Sequence, residues 1–415
     1  QDDAADIFIA VFYALVPLVW YRDGRDRPSK ALYIYLWFTV LVPSLLFLMS
    51  NHMLGAVERH AACAMMLLAF LVAYLVYLVP APRLAVADPM SRYGRPLLKV
   101  FLVAVVGYAL AVNTTGLTSL SFLDVYDARA DLMSAISSGE TSTLQVYLTN
   151  WVGTAIAPFL IAYGVFHRRI GYVLFGFASA LVVFAISTFK TTFFTSVIIA
   201  IFALFMSRSG RRFPRRIGYT VWTAVALLAI ASVALLLDLT VVGFSAFSWF
   251  SGFRLFLNNG FLTSAYIEHF ADQGYLLYAD SFLRGIVPNE HSLSFARRIG
   301  DYIMNKASEN SANANFLADG YVNIGYAGMM VSALQLAVVL WFIDRLATDR
   351  DPALVACVVL PAGIVFSNLP IHTGLMSNGA GLCLLLIPLL PKLAGRVQEV
   401  RSAPDQAYHA VARHA

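Results

Sequence analysis

Apolar runs of about 20 residues, repeated along most of the 415 positions, constrain this chain more than any other feature. A run of that length crosses the hydrocarbon core of a bilayer as an α-helix, and in lipid a helix satisfies its own backbone polar groups. The runs lack the every-other-residue alternation of a membrane barrel. Composition agrees: 59% of the residues are hydrophobic, 13% are charged and the mean hydropathy is +0.71, whereas a soluble domain carries roughly 25% charged residues. The expected fold class is therefore all-α, a polytopic integral membrane protein. Cys63, Cys357 and Cys383 lie inside apolar runs without disulfide or metal spacing and read as core filler. Gln1 is not a start methionine, and no cleavable signal pattern follows it.

Spans are expected at 7–21, 31–50, 60–80, 97–113, 147–166, 170–188, 191–207, 217–237, 320–343, 353–368 and 375–391, eleven in all. Alternate connections divide the 29 Lys and Arg residues into sets of 21 and 8. The richer set includes Arg22 to Lys30, Arg83 to Lys99, Arg208 to Arg216, Arg345, Arg350 and the tail. The positive-inside rule puts that set in the cytoplasm. The inner loops are short and basic, suited to fixing topology and touching anionic lipid. The net charge of +5 thus resides in topology loops and does not argue for nucleic acid.

This orientation leaves two substantial outward loops, 114–145 and 238–319. The chain divides into residues 1–237 with the first eight spans, the large outer loop 238–319, three last spans in 320–391 and a tail at 392–415. No Gly-rich phosphate loop, internal repeat or nucleotide-binding domain is visible, so direct drive by ATP is not expected. Asp349 and Asp351 form an Asp-x-Asp in a loop too short to build a pocket. Within the long loop, the aromatic stretch 245–269 suits helices lying in the outer interface. Gly285 and Pro288 mark a turn, and 294–306 suits a short helix. The chain re-enters through Asn313 to Gly328, where Asn323, Gly325 and Gly328 sit near the outer end of the span and small residues permit close helix packing.

Three pieces carry a family resemblance. They are Asn315-Phe-Leu-Ala-Asp-Gly-Tyr-Val-Asn-Ile-Gly-Tyr-Ala-Gly328, Ser187-Thr-Phe-Lys190 at the outer mouth of a span, and Val125-Tyr-Asp-Ala-Arg129 in the first outer loop. With its many spans and one dominant late outer loop, the chain resembles the Wzy-type oligosaccharide repeat-unit polymerases of O-antigen and exopolysaccharide synthesis. The resemblance implies a GT-C-like plan in the bacterial inner membrane with the active site facing the periplasm. It also implies transfer of a growing glycan from undecaprenyl pyrophosphate to a hydroxyl of a second lipid-linked unit. A repeat-unit flippase and a chain-length regulator are the partners it implies, beside membrane lipids. The related O-antigen ligases usually carry a His-Asn pair before the re-entry helix. Here Ser311-Ala-Asn-Ala-Asn315 stands in that place, which favours polymerase over ligase.

Such a transfer needs a stabilised leaving pyrophosphate and a base for the acceptor hydroxyl. Arginine suits the first task because its planar fork binds phosphate oxygens and keeps its charge. Arg129, Lys190, Arg254, Arg284, Arg297 and Arg298 are the candidate cations. Adjacent Arg297 and Arg298 point to different faces of a helix, so one of them at most reaches the site. As plain alternatives, Arg129 pairs locally with Asp124, Asp127 and Asp131, Lys190 snorkels and Arg254 anchors to headgroups. His291 is the first candidate base, with Glu290, Asp127, Glu268 and His269 as competitors; His372 is unassigned. Asp124, Asp127 and Asp131 fall on one helix face and could hold a divalent ion. Because Arg129 already supplies positive charge, a mechanism without metal or cofactor is expected. A ligase that uses a lipid A core acceptor is the nearest alternative. A flippase or carrier, which calls for interrupted helices and mid-membrane charge, is a second.

Overall fold

The computed structural model describes residues 2–19, 27–79, 143–187, 190–208, 257–271, 273–280, 294–304 and 312–392, with five isolated positions between them. The expected spans at 97–113 and 217–237 fall almost wholly outside the described residues. All regular elements among the described residues are helical, and one isolated β-bridge joins Arg350 to Lys392.

The helices are α1 (Asp2–Val19), α2 (Ser29–Met49), α3 (Ala56–Tyr77), α4 (Leu144–Phe166), α5 (Ile170–Ser187) and α6 (Lys190–Arg208). They continue as α7 (Asn258–Ala271), α8 (Phe295–Met304), α9 (Phe316–Leu346), α10 (Pro352–Phe366), α11 (Ile371–Met376) and α12 (Ala380–Leu386). Six of the described helices, α2 to α5, α9 and Thr191–Arg208 within α6, are long and apolar enough to cross a bilayer. The protein is thus an α-helical membrane protein in its described parts. α9 packs on α3, α10 on α2, and α4 on both α5 and α6, around one continuous core.

Prolines explain much of how these helices hold together. Proline has no N–H, so it leaves a carbonyl one turn earlier without its helical donor, and in lipid that carbonyl must find another. Pro17 lies inside α1, and the Trp37 indole donates at 2.8 Å to the Ala14 carbonyl, three residues before it. Pro43 follows the π-turn Trp37–Leu41 of α2, and the Asn259 amide donates to the Thr39 carbonyl at 3.1 Å. The helix breaker Pro43 of α2 thereby marks the docking point of α7.

This docking corrects the expected interfacial helix over its described part. α7 runs lengthwise beside the second half of α2, from Asn259 near Thr39 to Glu268 near Asn51. A Cβ on Gly260 would lie 2.3 Å from the Pro43 carbonyl oxygen, so only glycine admits this approach. Ser44 donates to the Thr263 hydroxyl at 3.2 Å, and Thr263 donates to the Asn259 carbonyl at 2.7 Å. Three small polar residues hidden among aromatic neighbours therefore turn α7 into a core helix. The three cysteines are buried and free, as core filler. Asp351 caps α10 by accepting from Ala353 N at 2.8 Å, which accounts for one half of the Asp-x-Asp.

Candidate functional site

One concentration of polar residues in the described chain lies where α7, α8 and the start of α9 meet. Asn315 caps α9 by accepting from the Leu317 and Ala318 amides at 3.0 and 3.2 Å, while its own amide donates to Thr263 at 2.6 Å. Nine residues on, the helix breaks. Ile324 leaves helical geometry, and Gly325 takes φ 64° and ψ −147°, a conformation that is nearly glycine-only. The break lets the first piece of α9 fold against the second, so that Gly320 meets Gly328.

A break in a helix frees backbone carbonyls, and here a loop takes them. Leu276 N and Leu277 N donate to the Val322 and Asn323 carbonyls, both at 3.0 Å. Tyr278 N donates to Asn323 Oδ1 at 2.8 Å, and the Asn323 amide donates back to the Asp319 carbonyl at 2.8 Å. Asp319 itself is 3% exposed, and its Oδ1 has no hydrogen-bond partner. Burial, and next the Asp319 charge, push the Tyr278 phenol above its ordinary range. The His372 ring lies 6.3 Å from that of Tyr278, and burial lowers its proton affinity.

The same loop seats α8. Asp280 Oδ2 accepts from Phe295 N at 2.9 Å, capping the first turn, and Ala312 N donates to the Ala296 carbonyl at 2.9 Å. Arg298 and Tyr302, four residues apart, then share the face of α8 turned to the end of α7. Arg298 donates to Gln273 Oε1 at 2.8 Å and sits 5.2 Å from the centre of the Phe270 ring. Tyr302 donates to Glu268, whose other carboxylate oxygen accepts from the Asn51 amide at 2.7 Å. The His269 ring stands 4.8 Å from that of Tyr302.

Two atoms at this joint stay unused: His269 Nε2 and Arg298 Nη1 are buried and have no hydrogen-bond partner. Burial, and then the Arg298 charge, hold the His269 imidazole below its ordinary proton affinity, against the pull of Glu268. Burial also lowers Arg298, against Asp280. The Tyr302 phenol is raised first by its hydrogen bond to Glu268. An imidazole nitrogen with lowered proton affinity can accept a hydrogen bond from a hydroxyl, and a guanidinium at the same joint can bind an anionic oxygen. Comparison with family models, curated proteins and solved structures finds no match for this chain.

Of the site residues expected from sequence, the structure places Arg297 and Arg298. Arg297 is exposed and Arg298 turns into the joint, so the two do face different ways. Lys190 opens α6, but its side chain is not among those described. Asp127, Arg129, Arg254, Arg284, Glu290 and His291 lie outside the described residues. Glu268 and His269, competitors for the base, do come together with Arg298. Tyr302 and Asp319 were not anticipated. The signal for Asp319 was an acid inside an apolar run; Tyr302 had only its spacing from Arg298. No group of three or more His, Cys, Asp or Glu side chains among the described residues could hold a metal ion.

Proposed function

We propose that this chain is a polymerase of undecaprenyl-pyrophosphate-linked oligosaccharide repeat units. In this reading it is an inverting glycosyltransferase that needs no metal. It has eleven spans and a large periplasmic loop, and it acts at the outer face of the bacterial inner membrane. The observation that carries the reading is the pair of unused buried atoms, His269 Nε2 and Arg298 Nη1, where α7 meets α8. An acceptor hydroxyl would give its proton to the imidazole as its oxygen bonds to the anomeric carbon, and the guanidinium would bind the pyrophosphate as its bond to that carbon breaks. The apolar helices beside this joint suit a ligand whose tail stays in lipid.

The test is reconstitution of the purified protein into liposomes with lipid-linked repeat units as the only glycan. A ladder of lengthened products supports the polymerase. Product only after addition of a lipid A core favours the ligase. The interrupted α9 with its buried Asp319 is the one observation that favours a flippase or carrier. In a carrier, unwound carbonyls coordinate the cargo ion. Here those of Val322 and Asn323 are taken by Leu276 and Leu277, which weighs against it. Translocation of the lipid-linked unit without a ladder would reverse that judgement.

A further inference from the structure

The far end of α9 carries a second concentration of charge that the proposed reaction does not use. Arg345, 1% exposed, is among the largest fully buried side chains of the described residues. Its guanidinium lies 4.8 Å from the centre of the Trp341 ring, and its Nε and Nη2 are buried without a hydrogen-bond partner. The Asp344 charge acts on Arg345, but the two side chains form no ion pair, because successive helix residues point about 100° apart. Instead Asp344 Oδ1 accepts from Ser29 N at 3.2 Å, and its Oδ2 lies 3.9 Å from Arg27 Nη1. Lys30 is 4% exposed, with its ammonium 5.9 Å from the centre of the Tyr77 ring. The charges of Arg27 and Lys30 both act on Asp344, and that of Arg27 acts on Arg345. Among the described residues, three cations thus gather about one carboxylate.

A second feature leads to the same place. Val331, Leu334, Val338 and Phe342 of α9 are 38%, 55%, 53% and 44% exposed. Their spacing of three and four residues makes one apolar stripe, and three residues beyond Phe342 that stripe reaches Arg345. We propose that this end of α9 binds an anionic phospholipid, its phosphate on Arg345 and an acyl chain along the stripe. The guanidinium fork matches phosphate oxygens, and with Asp344 engaged by Ser29 and Arg27, two buried Arg345 nitrogens are left to take an anion. Trp341 belongs at headgroup level. Free phosphate would answer the cations but not the stripe; a phospholipid answers both. Binding requires the guanidinium to turn off Trp341 toward the stripe. The inference stands apart from the polymerase reading.

Native mass spectrometry of the full chain in detergent, offered equal phosphatidylglycerol and phosphatidylcholine, tests it. Wild type should retain one phosphatidylglycerol per chain, about tenfold in preference to phosphatidylcholine. Arg345→Gln should lose that preference, and Arg345→Lys, which keeps charge without the fork, should retain part of it. Equal retention of the two lipids by wild type overturns the proposal. So does an undiminished preference in Arg345→Gln. If Arg345→Gln does not fold, thermal unfolding of wild type decides. Phosphatidylglycerol should raise the midpoint and inorganic phosphate should not; an equal rise with inorganic phosphate assigns the site to a free anion and overturns the lipid.

Discussion

A Cβ placed on Gly328 would lie 1.8 Å from the carbonyl oxygen of Gly320, a residue eight positions earlier in the same helix. In a straight helix those residues stand about 12 Å apart along the axis, so their contact depends on the break at Ile324 and Gly325. A Cβ on Gly320 would in turn lie 2.4 Å from the Gly328 carbonyl oxygen. Backbone cannot yield as a flexible side chain does. Gly328→Ala and Gly320→Ala should each destabilise by about 1–3 kcal/mol, read from thermal unfolding in detergent. Gly171→Ala, which meets nothing within 4 Å, is the control, and should stay within about 0.5 kcal/mol. Wild-type stability in Gly328→Ala would disprove the contact.

Gly325 meets two separate obstacles to substitution. Its φ of 64° with ψ −147° disfavours any side chain, and a Cβ there would lie 2.5 Å from the Tyr275 hydroxyl. Gly325→Ala should therefore cost about 1–3 kcal/mol from the backbone alone. Combining it with Tyr275→Ala should recover only the clash. Full recovery in the double variant would mean that the backbone conformation carries no cost.

The Asn259 amide should matter more than its place among aromatic neighbours suggests. Asn259→Leu strands the Thr39 carbonyl that Pro43 leaves open, at a cost of about 1–3 kcal/mol. Pro43→Ala restores the missing helical N–H, so in that background Asn259→Leu should cost clearly less. Equal costs in the two backgrounds would show that Asn259 acts by packing alone.

Helical class and six of the eleven expected spans were legible because apolar runs of fixed length have few other uses in water or lipid. The re-entry segment was legible as a place of close packing from Gly325 and Gly328, whereas the part of Gly320 was not. That the segment folds on itself was not, since Asn323-Ile-Gly325 interrupts neither its hydropathy nor its polarity pattern. The role of α7 was hidden for a similar reason. Asn259, Gly260 and Thr263 act through partners more than 200 residues away in sequence, and aromatic neighbours dominate any local reading. Charge counting used Arg345 only as a marker of sidedness, whereas its burial depends on how α9 packs.

Acid should weaken the joint of α7 and α8 through His269. Burial and Arg298 hold its folded proton affinity below that of the unfolded chain, near 6.5. Where the folded value is depressed, the unfolded state binds more protons. Stability is then full above about pH 6.5 and falls as pH drops toward the folded value. His372, also lowered by burial, contributes in the same sense. The unfolding midpoint should fall between about pH 7 and 5, and His269→Gln should flatten part of that fall. A slope unchanged by His269→Gln would remove the imidazole from the account.

Arg297 and Arg298 give the sharpest comparison for the proposed reaction, since they are neighbours in sequence and differ in surroundings. Arg297 is exposed, whereas Arg298 lies over Phe270 with a buried, unused Nη1. A charge-assisted hydrogen bond made in the transition state contributes about 1.5–3 kcal/mol, or roughly 10- to 100-fold in rate. In the liposome assay, Arg298→Ala should slow ladder formation by that factor, and Arg297→Ala should stay within about twofold. Arg298→Lys separates chemistry from packing: it keeps the charge over Phe270 but loses the planar fork. It should therefore hold stability better than Arg298→Ala while recovering little activity. Equal rates for the two alanine variants would move the phosphate-binding cation elsewhere. If Arg298→Lys were fully active, positive charge without fork geometry would be all that the site requires.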